Sequence, residues 1–560
     1  NHSGNGITIS ETDQQGFINS IPIRLALAFG SIGRGGRLMA VSKIVIVGGG
    51  TAGWMSAAYL QQAYVKEGGE VPEITLIESP DIGIIGVGEA TVPNLRRTLI
   101  HLELDEDEFM WNTNASFKQA IKFRNWRLPP DQDPNEHFFH PFEYPDLVED
   151  AYEFPPLWLA YRKNGGTVPI DYAATPQPVM CEALKVPKTA ESSPYLGSVT
   201  YAYHLDAVMF GRFLREKALE RGITRLEDTV ENVNLDADGL IRSLDTKDHG
   251  EIEADLFIDC SGFRGLLINK TLEEPFVPFG ESLLCDRAFA IQIPHGDDVD
   301  GINPFTTSQA LSSGWGWNIQ LNDRAGNGCV YSSAFISDDE AEREFRQFLG
   351  PHSDGRDGRV LKMRVGRNRN SWVGNCIAVG LASGFVEPLE STGIYLIERS
   401  LELISEHLPE GRKDERSANA FNAKLNDEFA DVIDFIVSHY CLTEREDTAF
   451  WQANKHDLKI PTSLQERLDI WRRGFPKEDD PSFNRSLFKC ASWTYVLSGM
   501  GIIPEDDPVL PDGLDAARIA RLIENRAKGR TRMLPFMMDH KTYLEILHDE
   551  PEAFESFLDG

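Results

Sequence analysis

Apolar residues first gather at Lys43–Val47 (KIVIV), a continuous, largely β-branched run that predicts a buried strand. It leads into VGGGTAGWMSAAYL, whose later part has helical character, and then into a second buried strand, Ile74–Glu78 (ITLIE). Strand, glycine turn, helix and strand in that order form a βαβ unit and imply a parallel sheet. Glu253–Gly262 (EADLFIDCSG) and Asn375–Phe385 (NCIAVGLASGF) are two further buried strands, each ending in small residues. Three separated stretches of chain are therefore expected to build one sheet. Between them, residues 124–160 are rich in Pro, Asp and aromatics and read as a structured loop rather than a helix or strand. From about residue 395 the period turns helical and stays so to the end. No linker divides the chain. The expectation is an α/β body over 39–435, a helical cap over 436–560, and an N-terminal extension over 1–38 that is not part of the fold.

The glycines carry the first chemistry. Gly48-Gly49-Gly50-Thr51-Ala52-Gly53 fits GxGxxG directly after a strand. Gly48 permits the tight turn, Gly50 lets backbone approach a pyrophosphate, and Gly53 lets helix and strand pack closely. Glu78 ends the second strand, where an acidic side chain meets a ribose hydroxyl. Dinucleotide binding follows, although this motif alone does not separate FAD from NAD.

Composition narrows the partners. A net charge of −32 repels a phosphate backbone, so nucleic acid is not expected. No run of 18 apolar residues occurs, so no membrane-spanning helix is expected. Seven cysteines, an odd number without CxxC spacing, argue against a disulfide framework or a zinc site and fit the cytoplasm. A homodimer remains open.

Five further segments decide the cofactor: IGVGEATVP (Ile85–Pro93), SFKQAIKF (Ser116–Phe123), GWGWNI (Gly314–Ile319), RVGRN (Arg364–Asn368) and FVEPLESTGIY (Phe385–Tyr395). In this order and spacing the chain resembles the flavin-dependent tryptophan halogenases from about residue 41 to the C-terminus. The resemblance implies a Rossmann-like body of the flavin monooxygenase type, with an inserted substrate region and a mainly helical C-terminal part. It also implies FAD, reduced by a separate flavin reductase, and chloride or bromide as co-substrate. Hypohalous acid formed at the flavin then reaches a lysine beside an aromatic small molecule.

On that resemblance Lys118 is the catalytic lysine and Glu390 the catalytic carboxylate, with Glu387 as its competitor. Thr392 and Gly393 would hold halide. Gly88, Glu89, Ala90 and Gly380 would join the glycine turn in holding FAD. His140 and Phe142 would sandwich an indole, with Phe488 near the position of a stacking tryptophan. Trp315 and Trp317 would keep substrate from the flavin, although Gln320 replaces the proline that closes this signature in the family. The stretch Pro476–Val496 is shorter than the segment that covers an amino acid in tryptophan-specific members, and it lacks an evident carboxylate–tyrosine set. This favours indole or a larger indolic substrate over free tryptophan. A flavin-dependent monooxygenase on the same fold is the alternative, and a non-catalytic flavin-binding protein a third reading.

Overall fold

The computed structural model describes residues 41–549, apart from 69, 84–87, 150–151, 190–191, 297–300, 410 and 485. The expected extension over 1–38 and residues 85–87 of the IGVGEATVP segment lie outside the described residues. The described residues form one compact unit.

Its first layer is a six-stranded sheet ordered Trp372–Val373, Cys376–Ala378, Leu256–Asp259, Lys43–Val47, Glu73–Glu78 and Thr224–Glu227. The strand Lys43–Val47 lies centrally, with Val45 paired in parallel to both Phe257 and Thr75. The three separated apolar stretches do meet in this sheet, because strands flanked on both faces need continuous apolar runs. The helix Thr51–Glu67 follows the glycine turn, with Gly53 to Leu60 fully buried.

A second, seven-stranded sheet runs Gly358–Lys362, Arg287–Pro294, Arg324–Tyr331, Gly314–Gln320, Thr306–Ala310, Ala120–Arg124 and His137–Pro141. It corrects the reading of residues 124–160 as loop. His137–Pro141 is a strand paired antiparallel with Ala120–Arg124, and Phe154–Lys163 is a helix opened by Pro155 and Pro156 in its first turn. Pro141 sits at the end of that strand and Pro155 and Pro156 at the start of that helix, where a missing N–H costs little, while Pro129, Pro130, Pro134 and Pro145 lie in the connections between elements.

Two small sheets carry the motif segments. Glu89–Ala90, Ala202–Leu205 and Ser116–Lys118 form one; Phe276–Pro278, Gly366–Asn368 and Gly384–Phe385 form the other. The C-terminal part is helical, as expected. Its long helix Glu415–Cys441 runs through the expected boundary at residue 435, so body and cap share an element instead of meeting there.

Candidate functional site

Lys118 ends the strand Ser116–Lys118 of one sheet, and Ala120 begins the strand Ala120–Arg124 of another. Its side chain is fully buried at this seam. Nζ donates to the carbonyl of Thr91 at 3.0 Å and to Ser391 Oγ at 2.7 Å, and it stands 5.0 Å from the centre of the Phe142 ring. Burial drives its pKa down from 10.5 to about 7, with Glu390 pulling weakly the other way. Near neutral pH the amine is thus partly uncharged, whereas its neighbour Lys122 is half-buried and paired with Glu182 at 3.2 Å.

The segment Pro388–Gly393 turns sharply. A short turn over Pro388–Glu390 meets the helix Thr392–Glu406 at Ser391, which has φ +61° and ψ +34°. A non-glycine residue there costs roughly 1–3 kcal/mol and persists where the surroundings hold it. The kink sends Glu390 to one side and leaves the helix N-terminus free. Thr392 Oγ1 is buried there without a hydrogen-bond partner, and an added Cβ at Gly393 would meet open space. A helix start with unpaired donors suits a small anion.

Glu390 is buried between two histidines. His140 Nδ1 lies 2.9 Å from Oε2, and His439 Nε2 lies 3.0 Å from Oε1. Burial pushes its carboxyl up, but the two imidazoles outweigh that and hold it at about 2. Glu387 differs. It is equally buried, neither of its oxygens has a well-aligned hydrogen-bond partner among the described residues, and burial raises it to about 7 although Tyr440 and Cys285 beside it pull it down. Of the two candidates, only Glu390 is fully ionised near neutral pH.

The aromatic residues form a continuous wall. His140 lies 6.3 Å from Phe142 and 6.2 Å from Phe488, measured between ring centres. Phe488 stacks on Phe435 at 3.8 Å. Trp126 bridges His439 to Trp315, which is 6.1 Å from Trp317. Both of these tryptophans are buried with indole N–H groups unpartnered. Gln320 is engaged: its backbone oxygen accepts from Ser116 Oγ, and its Oε1 accepts from the Asn303 amide at 2.5 Å. Sequence reasoning missed Phe435 and His439. They sit four apart on one face of a long helix, a spacing that also describes any buried helix face.

The glycine turn fits a dinucleotide. Gly48 has φ +116°, and an added Cβ would lie 2.2 Å from the Cys260 oxygen. A Cβ on Gly53 would lie 1.8 Å from the Gly48 oxygen, whereas one on Gly50 would meet nothing within 4 Å. The turn is packed on its inner side and open where a pyrophosphate would lie. Thr51 Oγ1 donates to the Ala207 oxygen, and Ala52 packs against Gly380. Gly88 has φ +86° and opens the strand Glu89–Ala90. Glu89 is raised to about 7, by burial first and then by Asp206. Glu78 stands at its strand end, but its carboxylate already accepts from Trp54 Nε1 at 3.3 Å and from Arg225 Nε.

Comparison with known proteins bears on the family and the fold. The family model described as tryptophan halogenase matches residues 43–515. The chain is 41% identical over 491 residues to tryptophan 7-halogenase RebH of Lentzea aerocolonigenes, covering 83% of this chain and 90% of that one. Its fold matches the crystal structure of tryptophan 6-halogenase SttH from Streptomyces toxytricini with a TM-score of 0.82, at 35% identity over 90% of this chain and 100% of that one. It matches BrvH, a flavin-dependent halogenase from Brevundimonas sp. BAL3, with a TM-score of 0.81, at 35% identity over 90% of this chain and 99% of that one.

Two predictions follow from the geometry. Gly50→Val is expected to keep the wild-type melting temperature yet lose FAD binding, while Gly53→Ala loses roughly 1–3 kcal/mol of stability through overpacking; flavin titration and thermal melts separate the two. The second concerns the buried amine. Between about pH 7 and 10.5 the unfolded chain holds the Lys118 proton and the folded chain does not, so this group's contribution to wild-type stability rises with pH across that window. Lys118→Met removes the cost of burying the charge. Calorimetry should show it raising the melting temperature at pH 7 and raising it less at pH 9.

Proposed function

Because this chain belongs to the tryptophan halogenase family and is a flavin-dependent halogenating enzyme, we propose that it places chlorine or bromine on an indole ring through Lys118, in the cytoplasm, with FAD reduced by a separate flavin reductase. The observation that carries this reading is the dry amine of Lys118, held at about pKa 7 between Thr91 and Ser391 beside an ionised carboxylate.

Gly48, Gly50, Thr51, Ala52, Gly53, Glu78, Gly88, Glu89, Ala90 and Gly380 would hold the cofactor. When bound and reduced, it would supply the two electrons that, with two more from halide, reduce oxygen and so give hypohalous acid and water. The chain's own residues do the rest. Thr392 and the Gly393 amide receive the halide at the helix start. Lys118 takes up the hypohalous acid: its ammonium can donate a hydrogen bond to it, and its neutral amine can bond the halogen. An electron pair of the ring takes the halogen as the oxygen–halogen bond breaks, and the displaced hydroxide takes a proton from the Lys118 ammonium and leaves as water; from a haloamine, the nitrogen–halogen bond breaks instead and its electron pair returns to the amine. Glu390 then accepts the ring proton, which restores aromaticity. His140 and Phe142 grip the ring by their faces, with Phe488 beyond them. Trp315 and Trp317 wall off the flavin side.

Indole, rather than free tryptophan, is favoured by what surrounds Phe142. The Glu143 carboxylate accepts from the Thr200 amide at 2.7 Å, Tyr495 OH donates to the Glu143 carbonyl at 3.2 Å, and Tyr144 OH pairs with Cys490. These polar groups are engaged within the chain, and an ammonium and carboxylate buried without partners would lose their hydration for little return. Attack at carbon 3, the most electron-rich position, follows where no contact holds another carbon toward Lys118. Bromide should serve at least as well as chloride.

A competition between equimolar indole and tryptophan, with bromide and reduced flavin, tests the reading by product mass. Bromoindole should dominate; predominant bromotryptophan would overturn the substrate assignment, and an oxygenated product independent of halide would favour a monooxygenase. Lys118→Ala should abolish halogenation with FAD still bound, and Glu390→Gln should slow it by roughly 10- to 1,000-fold.

A further inference from the structure

His439 lies in the helix Glu415–Cys441 and is fully buried. Its Nδ1 is 2.9 Å from the carbonyl oxygen of Phe435, one helical turn earlier. A carbonyl only accepts, so Nδ1 carries a hydrogen. A neutral imidazole has one N–H, and with that hydrogen on Nδ1 its Nε2 would present a lone pair. Nε2 stands 3.0 Å from Glu390 Oε1, and neither atom has a hydrogen-bond partner among the described residues. A neutral imidazole gains nothing from a carboxylate oxygen at that distance in a water-poor interior; a charged imidazolium makes it an ion pair, which needs no exact alignment. The ring centres of Phe123, Phe435 and Trp126 lie 4.8, 5.2 and 6.0 Å away and hold the imidazole in place. On the other side of the carboxylate, His140 Nδ1 lies 2.9 Å from Oε2.

We propose that His439 is a positioning residue for the halogenation: it stands as a fixed imidazolium against Glu390 and holds that carboxylate ionised, ready to accept the ring proton. The inference rests on the reading of Glu390 as the base. In that step the ring C–H bond breaks, its electron pair returns to the ring, and the proton bonds to Glu390 while His439 keeps its own two. His439 therefore passes no proton onward; its Nδ1 faces only a backbone carbonyl.

The titratable groups around the pair are Lys118, His140, Glu387, Tyr440 and Cys285. Asp434, on the same helix, is engaged by Ser463 and Arg467. All of these stay in place in the comparison that follows. The test uses the full chain loaded with FAD and the variant His439→Gln, whose amide can meet Oε1 without a charge. Turnover of indole with bromide at pH 7 should fall about 10-fold or more with KM little changed. In pH-difference infrared spectra, His439→Gln minus His439→Gln/Glu390→Gln should show the carbonyl stretch of a neutral carboxylic acid growing in on mild acidification. Wild type minus Glu390→Gln should show no such band over the same range. A band already present in the wild type, or none in His439→Gln, overturns the proposal. If Glu390→Gln turns over like wild type, the reading of Glu390 as base fails instead, and the infrared result still decides the charge pair. Should His439→Gln not fold, neutron diffraction of the wild type decides: deuterium on both ring nitrogens supports the imidazolium, and deuterium on one overturns it.

Discussion

Lys118 Nζ reaches Thr91 in one direction and Ser391, 273 residues later, in the other. Those two hydrogen bonds tie the end of a three-stranded sheet to the kink ahead of the helix Thr392–Glu406. Taking an amine out of water disfavours its charged form, and the protein accepts that cost in return for an amine poised between charge states near neutral pH. The rest of the site follows from keeping that junction dry. Phe142 faces the amine, the tryptophans of Gly314–Gln320 seal the adjoining sheet, and the long helix Glu415–Cys441 brings Phe435 and His439 against the far side.

Glu387 and Glu390 show how far surroundings rule over residue type. The two carboxyls are three residues apart and equally buried, yet burial lifts one to about 7 while two imidazoles hold the other at about 2. Glu387, partly protonated near neutral pH, sits beside Tyr440 and Cys285 without an ion partner among the described residues, whereas Glu390 stands between its two histidines. Two carboxyls pushed apart in this way can do different work within one turn of chain.

Much of this was legible in the residues. Apolar runs at Lys43–Val47, Ile74–Glu78, Glu253–Gly262 and Asn375–Phe385 announced the parallel sheet, because strands covered on both faces leave no polar alternation. The Gly48–Gly53 turn announced its own packing, since spacing alone dictates which glycines meet backbone. The strand His137–Pro141 was hidden by flanking prolines, and with it the reason His140 faces Glu390. Phe435 and His439 were hidden more deeply. Their spacing is that of any buried helix face, and only the crossing of that helix over the turn at Pro388–Glu390 gives them a role. The boundary expected at residue 435 failed for the same reason: one helix serves both the body and the cap.

The central claim is that Lys118 works as a buried amine able to shed its proton near neutral pH. Its protonation can be followed directly by nuclear magnetic resonance of protein labelled with 15N at lysine Nζ, the resonance being assigned by its loss in Lys118→Ala. The account predicts a titration midpoint near pH 7, well separated from the other lysines. A midpoint at or above the ordinary lysine value of 10.5 would contradict it.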